Sequence, residues 1–425
     1  ASDSLMLGFL AQDALSAAAL AGQVQFVLNL FISALTIGET VLAAQYWGKG
    51  ETDTVERVLA ITMRFALLVS LVFFAAALCV PQLLMRIFTP DAALITLGAD
   101  YLRAVSFSYL FTGFSQVYLC IMKNSGRTLR STVYGSVAVV LNAGLNALLI
   151  FGLWGFPALG IVGAAVATSV ARGAELLLVL FENLRRGTVR IRSAYILKRM
   201  RVLTGDFLRC TAPVQANMLV WGCGLTMISV IMGRLGSDAV AANALASVAK
   251  NIAACVCLGI GSGSSIIVGN ALGSGALEKA KLYGRRLCHV SLLSGVLAGA
   301  VLVLCIPLVM LAAGSLTPAA RGYLHGMLLI CAYYLIGKAI NGTVVGGIFC
   351  AGGDTKFGFL CDAVSLWCVV IPAGLLAAFV LKLPVLAVYF ILNLDEFVKL
   401  PAVYRHYKKY RWVRDLTRKE KCGTL

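Results

Sequence analysis

Charged side chains lie inside long apolar stretches of this sequence, where they could bind ions or charged ligands. Asp3, Glu39 and Asp362 are acids in such stretches, and Lys250 and Lys338 are bases. If these stretches cross a membrane, each ionisable residue costs at least about 2.5–3.5 kcal/mol on insertion scales. Each of these residues is therefore a candidate for function by default.

Covalent, metal and nucleotide chemistry have little support in the sequence. Most of the 13 Cys residues lie in apolar stretches, and Cys255 and Cys257 do not have the spacing of a zinc site. The three His residues form no cluster. The segment "GIGSGS", at 259–264, lies inside an apolar stretch, which favours close helix packing over a phosphate-binding loop. We therefore expect no cofactor, no ATP site and no enzymatic activity.

The composition indicates which elements carry the candidate residues. Of the 425 residues, 60% are hydrophobic and 13% are charged, whereas about 25% are charged in a soluble domain. Most of the apolar blocks reach the length of about 20 residues that crosses a bilayer. We predict an all-α polytopic membrane protein. The eleven predicted spans are 14–46, 56–80, 93–122, 128–152, 158–183, 205–233, 240–271, 281–311, 319–350, 357–381 and 384–405.

The placement of the basic residues predicts the orientation of the chain. The formal net charge is +17, and most Lys and Arg residues lie in alternate loops, as the positive-inside rule describes. These loops and the C-terminus are therefore predicted to be cytoplasmic, with anionic lipid as a secondary contact. The alternation argues against a nucleic-acid partner.

The chain contains an internal duplication. A shift of 225 residues places "GFLAQDALSAAAL" (8–20) on "GRLGSDAVAANAL" (233–245), and it superposes the glycines of "AAQYWGKGE" (43–51) on those of "VGNALGSGA" (268–276). Both copies have the same predicted orientation in the membrane. Parallel repeats of this kind occur in transporters, whose binding sites lie between or within the halves.

The repeat also predicts the domain boundaries. We expect an N-terminal helical lobe at 1–183, a cytoplasmic linker at 184–204, a C-terminal lobe at 205–405 and a basic cytoplasmic tail at 406–425. The span at 205–233 needs a partner that would begin before Ala1. We therefore expect most of the first helix to be missing.

Several segments resemble the multidrug and toxic compound extrusion (MATE) transporters, including members from Gram-positive bacteria. The resemblance covers essentially the whole chain. It implies a 12-helix fold with two six-helix lobes around a central cavity, and export of organic, often cationic compounds driven by H⁺ or Na⁺ re-entry. The segments are "SDSLMLGFLAQDALSAAALAG", "AAQYWGKGE", "LNAGLNALLIFG", "GIVGAAVATSVAR", "RLGSDAVAANALA", "VVGGIFCAGGDTKFG" and "KYRWVRDLT".

The resemblance implies an ion-coupling site in the N-terminal lobe. It makes Asp3 the acid of the family's cation site, and Asn142 and Asn146 match positions whose polar side chains complete that site. The two Asn residues are four apart and share one helix face, so interhelical hydrogen bonding alone is the alternative. Glu39 is either a second carboxylate near Asp3 or a side chain that reaches the cytoplasmic end of its helix.

Polar and aromatic residues of the later helices are the candidates for a substrate cavity. Lys250 and Lys338 are expected to face the bundle interior, with at least one of them near Asp362, because an unpaired ammonium group at that depth would neutralise or seek a partner. Arg172 and Glu175 are predicted to form a structural ion pair. The cavity candidates are Tyr118, Trp221, Lys250, Asn251, Lys338, Asn341 and Asp362.

These observations predict an ion-coupled antiporter that exports organic, cationic small molecules across the cytoplasmic membrane. The alternative within transport is a flippase for a lipid-linked precursor, which Lys250 and Lys338 leave open. A membrane-embedded enzyme fits less well, because the sequence has no convergent catalytic cluster. A receptor fits less well because it would not need the internal duplication. We expect a monomer whose partners are its small-molecule substrate and the membrane lipids.

Overall fold

The computed structural model describes residues 6, 12–152, 158–185, 189–198, 200–314 and 316–417, which form helices without any strand. Three π-helical turns, Val344–Phe349, Val364–Val370 and Leu376–Val380, lie among the late helices. The helices are α1 Gln12–Lys49, α2 Thr52–Cys79, α3 Pro81–Phe88, α4 Ala92–Asn124, α5 Thr128–Phe151, α6 Gly160–Leu184, α7 Ser193–Leu197, α8 Arg201–Gly233, α9 Ser237–Gly273, α10 Leu277–Leu304, α11 Ile306–Ala312, α12 Pro318–Thr343, α13 Thr355–Ala363, α14 Ile371–Leu375, α15 Val385–Leu392, α16 Asp395–Val398 and α17 Leu400–Lys408.

Ten helical stretches of the described chain are long and apolar enough to cross a membrane. They correspond to the first ten predicted spans. The eleventh predicted span, 384–405, is not one continuous helix, because this segment is divided into α15, α16 and α17. Pro401 lies at the start of α17, where its ring and missing N–H prevent the preceding turn from continuing. At the other break, the side-chain amide of Asn393 donates to the carbonyl oxygen of Tyr389 at 2.8 Å.

The helices pack into two compact units. The first unit contains the described residues up to Glu39 and Thr52–Phe207, and the second contains Thr40–Glu51 and the chain from Leu208 onward. In the first unit α4 packs against α2 and α6, and α5 packs against α6. In the second unit α9, α10 and α12 pack against one another. Residues 40–51, which the repeat assigns to the N-terminal lobe, therefore pack with the second unit.

Glycine brings α9 and the end of α12 into backbone contact. A Cβ atom on Gly261 would lie 2.8 Å from the carbonyl oxygen of Gly342, and one on Gly347 would lie 2.7 Å from the carbonyl oxygen of Gly261. Small residues allow such close approach in membranes, where lipid contact offers no hydrophobic gain. The interpretation of "GIGSGS" as a packing segment is confirmed.

The segment before α7 is attached to the first unit by buried polar contacts. The carboxylate of Glu56 lies 2.6 Å from Nε of Arg192 and accepts the backbone N–H of Arg190 at 3.0 Å. The hydroxyl of Tyr118, a residue with 1% of its surface exposed, donates to the carbonyl oxygen of Val189 at 3.1 Å. Tyr118 thus holds this segment in place, which favours a structural role over the predicted place in a substrate cavity.

Candidate ion and substrate sites

The amide pair of α5 forms a hydrogen-bonded chain with a threonine of α6. The side-chain amide of Asn146 donates to Oδ1 of Asn142 at 3.2 Å, and that of Asn142 donates to Oγ1 of Thr168 at 3.1 Å. The hydroxyl of Thr168 donates in turn to the carbonyl oxygen of Ala164 at 3.0 Å. Asp3, the acid that we predict for this site, lies outside the described residues. Interhelical hydrogen bonding, the alternative role for the two Asn residues, is observed for one of them: the Asn142–Thr168 bond joins α5 and α6, whereas the Asn146–Asn142 bond lies within α5.

Thr168 is the member of this group that the sequence analysis missed. It lies in "GIVGAAVATSVAR", one turn before Arg172, and only its contact with Asn142 identifies it. Hydroxyl and amide oxygens are hard ligands that suit Na⁺, and the same groups hydrogen-bond a protonated carboxyl. The group is therefore chemically able to complete either kind of ion site.

Glu39 is fully buried in α1, with 0% of its surface exposed. Neither of its carboxyl oxygens has a hydrogen-bond partner among the residues that the structure describes. The polar group beside it is the thiol of Cys120, whose own hydrogen bond goes to the carbonyl oxygen of Thr36 at 3.4 Å. The interpretation of Glu39 as a side chain that reaches toward the cytoplasmic surface is therefore wrong.

A polar cavity of about 190 Å³ lies between α1, α4 and α6 in the first unit. On its α6 side, the guanidinium of Arg172 lies 2.6 Å from the carboxylate of Glu175, which confirms the predicted ion pair. The side-chain amide of Gln116 donates to the same carboxylate at 2.9 Å. Apart from Ile32, the lining consists of polar residues, namely Asn29, Ser33, Thr36, Thr112, Gln116 and Arg172.

The second unit contains a buried ion cluster made of Lys338, Asp362, Glu396 and Lys399. The ammonium group of Lys399 lies 2.7 Å from Oδ1 of Asp362 and 2.9 Å from Oε2 of Glu396. The ammonium group of Lys338 lies 3.2 Å from Oε1 of Glu396. The four charges cancel. This pairing matters because an uncompensated buried charge is strongly destabilising. Asp395 also lies within electrostatic range of all four side chains.

Two amides complete the hydrogen bonding of the ion cluster. The amide of Asn341 donates to the carbonyl oxygen and to Oε2 of Glu396, at 2.6 and 2.9 Å. The amide of Asn217 donates to Oδ2 of Asp362 at 2.9 Å. Asn341 therefore bonds to Glu396 within the cluster and has 3% of its surface exposed, although its own amide oxygen and that of Asn217 have no hydrogen-bond partner among the described residues. This favours a structural role over the predicted place in a substrate cavity.

The structure changes the predicted partner of Asp362. The direct partner of Asp362 is Lys399 rather than Lys338. Lys338 belongs to the same cluster through Glu396 and lies within electrostatic range of Asp362, so the expectation that one of the two lysines lies near Asp362 is met. Glu396 and Lys399 are not among the predicted site residues, although "LDEFVKLP" places three charges inside a predicted span. That signal could have identified them, since charged residues within membrane spans are rare.

Lys250 and Trp221 lie close to the ion cluster without belonging to it. The ammonium group of Lys338 lies 5.6 Å from the ring centroid of Trp221, and that of Lys250 lies 4.9 Å from the ring centroid of Tyr334. Within the described chain, no carboxylate lies within 4 Å of the Lys250 ammonium group. Lys250 is half-buried, and its ammonium group contacts an aromatic ring rather than an acid. Asn251, another predicted cavity residue, is exposed.

Comparison with known proteins places this architecture in a family. The MatE family model matches residues 1–148 and 214–392, which is one match in each copy of the repeat. The chain is 28% identical over 410 residues to a probable multidrug resistance protein NorM from Bradyrhizobium diazoefficiens, covering 93% of this chain and 86% of the relative. It is 22% identical over 418 residues to the probable multidrug resistance protein YoeA from Bacillus subtilis, covering 96% and 89%.

The fold is also similar to solved structures. A MOP superfamily transporter from Pyrococcus furiosus superposes with a TM-score of 0.87 at 17% identity, over 96% of this chain and 90% of that one. At this identity the similarity concerns the fold alone. Because the family model matches well over half of the sequence, the chain belongs to the MatE family and is a multi-pass membrane protein.

Proposed function

We propose that this protein is an antiporter that exports organic, cationic small molecules and draws its energy from the re-entry of H⁺ or Na⁺. The observation that carries the proposal is the hydrogen-bonded group of Asn142, Asn146 and Thr168 inside two predicted spans. The resemblance to the family implies that Asp3 is the acid of this site. The family membership and the names of the multidrug resistance relatives support export as the direction of transport.

The coupling mechanism follows from competition for one charged site. A carboxylate at Asp3 attracts a cationic substrate, and binding of H⁺ or Na⁺ removes that attraction. The amides of Asn142 and Asn146 and the hydroxyl of Thr168 supply oxygens for the ion. Because ion and substrate then bind in alternation, the site couples their movements in opposite directions.

The test is transport by purified protein in liposomes. A fluorescent organic cation is loaded, and either a pH gradient or a Na⁺ gradient is imposed. In the full-length gene, Asp3→Asn is expected to abolish gradient-driven efflux, and Thr168→Val to weaken it. Thr132→Val is the matched control, because the hydroxyl of Thr132 bonds only to the carbonyl oxygen of Thr128, at 3.0 Å on the exposed face of α5. Wild-type efflux by Asp3→Asn under both gradients would refute the proposal.

A flippase for a lipid-linked anionic precursor is the second candidate. The observation that favours it is the pair of cationic side chains Lys250 and Lys338 on neighbouring helices of the second unit. Among the described residues, no acid forms an ion pair with Lys250. In the same liposomes, an organic anion is offered in competition with the organic cation. Efflux of the cation that the anion does not slow supports the antiporter, whereas transport of the anion alone supports the flippase.

We further propose that the protein acts as a monomer in the cytoplasmic membrane, with its C-terminus on the cytoplasmic side. The basic loops support this orientation through the positive-inside rule. A reporter that fluoresces only in the cytoplasm, fused after Leu425, is expected to give a signal.

A further inference from the structure

Glu39 is a carboxyl group in an environment that does not stabilise its charge. It lies ten residues before the end of α1, or about 15 Å along the helix axis. It is fully buried, and its two oxygens have no hydrogen-bond partner among the described residues. An ionised carboxylate in such a place costs several kcal/mol, so the group is favoured in its protonated form.

The fold itself does not require an acid at this position. The residue that the 225-residue repeat aligns with Glu39 is Ser264, which is also fully buried. Its hydroxyl donates to the carbonyl oxygen of Ile260 at 2.7 Å within the same helix. The second copy of the repeat thus has a small, hydrogen-bonded serine at this position, Ser264. The first copy has Glu39, which can take up a proton.

Polar side chains connect Glu39 to the cavity of the first unit. Asn29, Ser33 and Thr36 line the cavity from α1, and Glu39 follows Thr36 by three residues, which is about one helical turn. On α4, Gln116 lines the cavity and Cys120 lies one turn further, beside Glu39. Glu39 and Cys120 therefore form the layer next to the cavity lining.

The opposite wall of the cavity leads to the proposed coupling site. Arg172 lines the cavity from α6, and Thr168 precedes it by one turn on the same helix. The hydroxyl of Thr168 accepts the amide of Asn142 at 3.1 Å. The hydroxyl of Thr112, which also faces the cavity, has no hydrogen-bond partner within the described chain. A cavity of about 190 Å³ with such walls is large and polar enough to hold water.

We propose that Glu39 is a second proton-binding site, which takes up and releases protons through the polar cavity that lies next to it and next to the helix of Thr168. The site deepens the proposed antiport and rests on it. When the re-entering ion is H⁺, the carboxyl of Asp3 releases the proton, which crosses the cavity on water and binds to the carboxylate of Glu39, from which it is released in the next cycle. The titratable and charged groups that face this path in the described chain are Cys120 on α4 and the Arg172–Glu175 pair on α6.

The surroundings of Glu39 favour a proton over a metal ion. A hard cation such as Na⁺ prefers several oxygen ligands, whereas the polar side chain beside this carboxyl is a thiol. Arg172 is already paired with Glu175 at 2.6 Å, so it does not provide a counter-charge for Glu39. A proton satisfies the carboxyl without any further ligand.

The first test does not depend on transport. Dicyclohexylcarbodiimide reacts with protonated carboxyl groups in apolar sites, and mass spectrometry locates the product. The full-length protein in liposomes is expected to be modified at Glu39, and the modification should decline as the pH rises. In Cys120→Ser the decline should shift to lower pH, because the new hydroxyl beside Glu39 can donate a hydrogen bond that stabilises the ionised carboxylate. Absence of labelling at Glu39 at any pH, or labelling that does not respond to pH, would overturn the proposal.

The second test separates this inference from the proposed antiport. Glu39→Gln keeps the shape of the side chain, and Glu39→Ser copies the other half of the repeat. Both variants are expected to exchange substrate down its own gradient but to lose acceleration by a pH gradient. If both retain wild-type acceleration while Asp3→Asn loses it, the antiport proposal stands and the role of Glu39 is refuted. If wild-type protein shows no response to either ion gradient, the antiport proposal fails, and the labelling result alone decides whether Glu39 binds a proton.

Discussion

Gly48 and Gly273, which the repeat places at equivalent positions, make reciprocal contacts within the second unit. Gly48 lies against the backbone of Asn270, and Gly273 lies against the backbone of Gln45, with no room for a Cβ atom at either glycine. Gln45 and Asn270 are themselves separated by the same 225 residues. The two copies of the turn therefore recur because they pack against each other, and each glycine is needed for the close approach of the other copy.

Alanine at either glycine is expected to destabilise this contact. In Gly48→Ala and Gly273→Ala the new methyl group meets a backbone carbonyl, which cannot move aside as a flexible side chain can, so we expect a loss of about 1–3 kcal/mol. Gly263→Ala is the matched control, because a Cβ atom there has nothing within 4 Å. Thermal unfolding in detergent measures the three variants. A melting temperature of Gly48→Ala equal to that of Gly263→Ala would contradict the contact.

Removal of Lys399 is expected to destabilise the ion cluster strongly. Lys399→Met leaves Asp362 buried without a cation and should cost about 3–5 kcal/mol. The double variant Lys399→Met with Asp362→Asn should recover part of this loss, since Lys338 still balances Glu396. Lys281→Met, at an exposed pair with Glu278, is the control and should cost at most about 1 kcal/mol. Equal effects of the two single variants would argue against a tightly coupled cluster.

The C-terminal segment is expected to be part of the folded core rather than a free tail. Trp412 is fully buried, and its ring stacks on Tyr407 with centroids 5.6 Å apart. Trp412→Ala should therefore cost about 3–5 kcal/mol, as for other large core aromatics. Tyr410→Ala, at a side chain that is nearly half exposed, serves as the control. Unchanged thermal stability of Trp412→Ala in detergent would disprove the docking of this segment.

Loss of the Glu56 carboxylate is expected to release the segment before α7. Glu56→Gln removes the ion pair with Arg192 and weakens the bond to the N–H of Arg190, a local loss of about 1–3 kcal/mol. Limited digestion with trypsin should then cut after Arg190 and Arg192 sooner than in the wild-type protein. Asp100→Asn, at a half-exposed pair, is the control. Identical digestion of the two variants would show that other contacts hold the segment.

The family, the helical class and the first ten spans could be predicted from the sequence. The reason is that a membrane span is a local property: about 20 apolar residues suffice to define it wherever the rest of the chain lies. The duplication can be recognised by comparing the sequence with itself. The shared helix face of Asn142 and Asn146 follows from their spacing, since four residues make about one helical turn. The spacing of Arg172 and Glu175 predicted their ion pair for the same reason.

Contacts between helices could be decided only by the tertiary structure. The sequence does not specify that Asp362 pairs with Lys399 rather than Lys338, because all three residues lie on different helical segments whose rotation and depth depend on packing. The same holds for Thr168 beside Asn142, and for the burial of Tyr118 and Glu39. The type of a residue determines which hydrogen-bond or ion-pair partners suit it, but in this protein several helices carry suitable partners. The close packing of small residues determined which of them came within a hydrogen bond's reach.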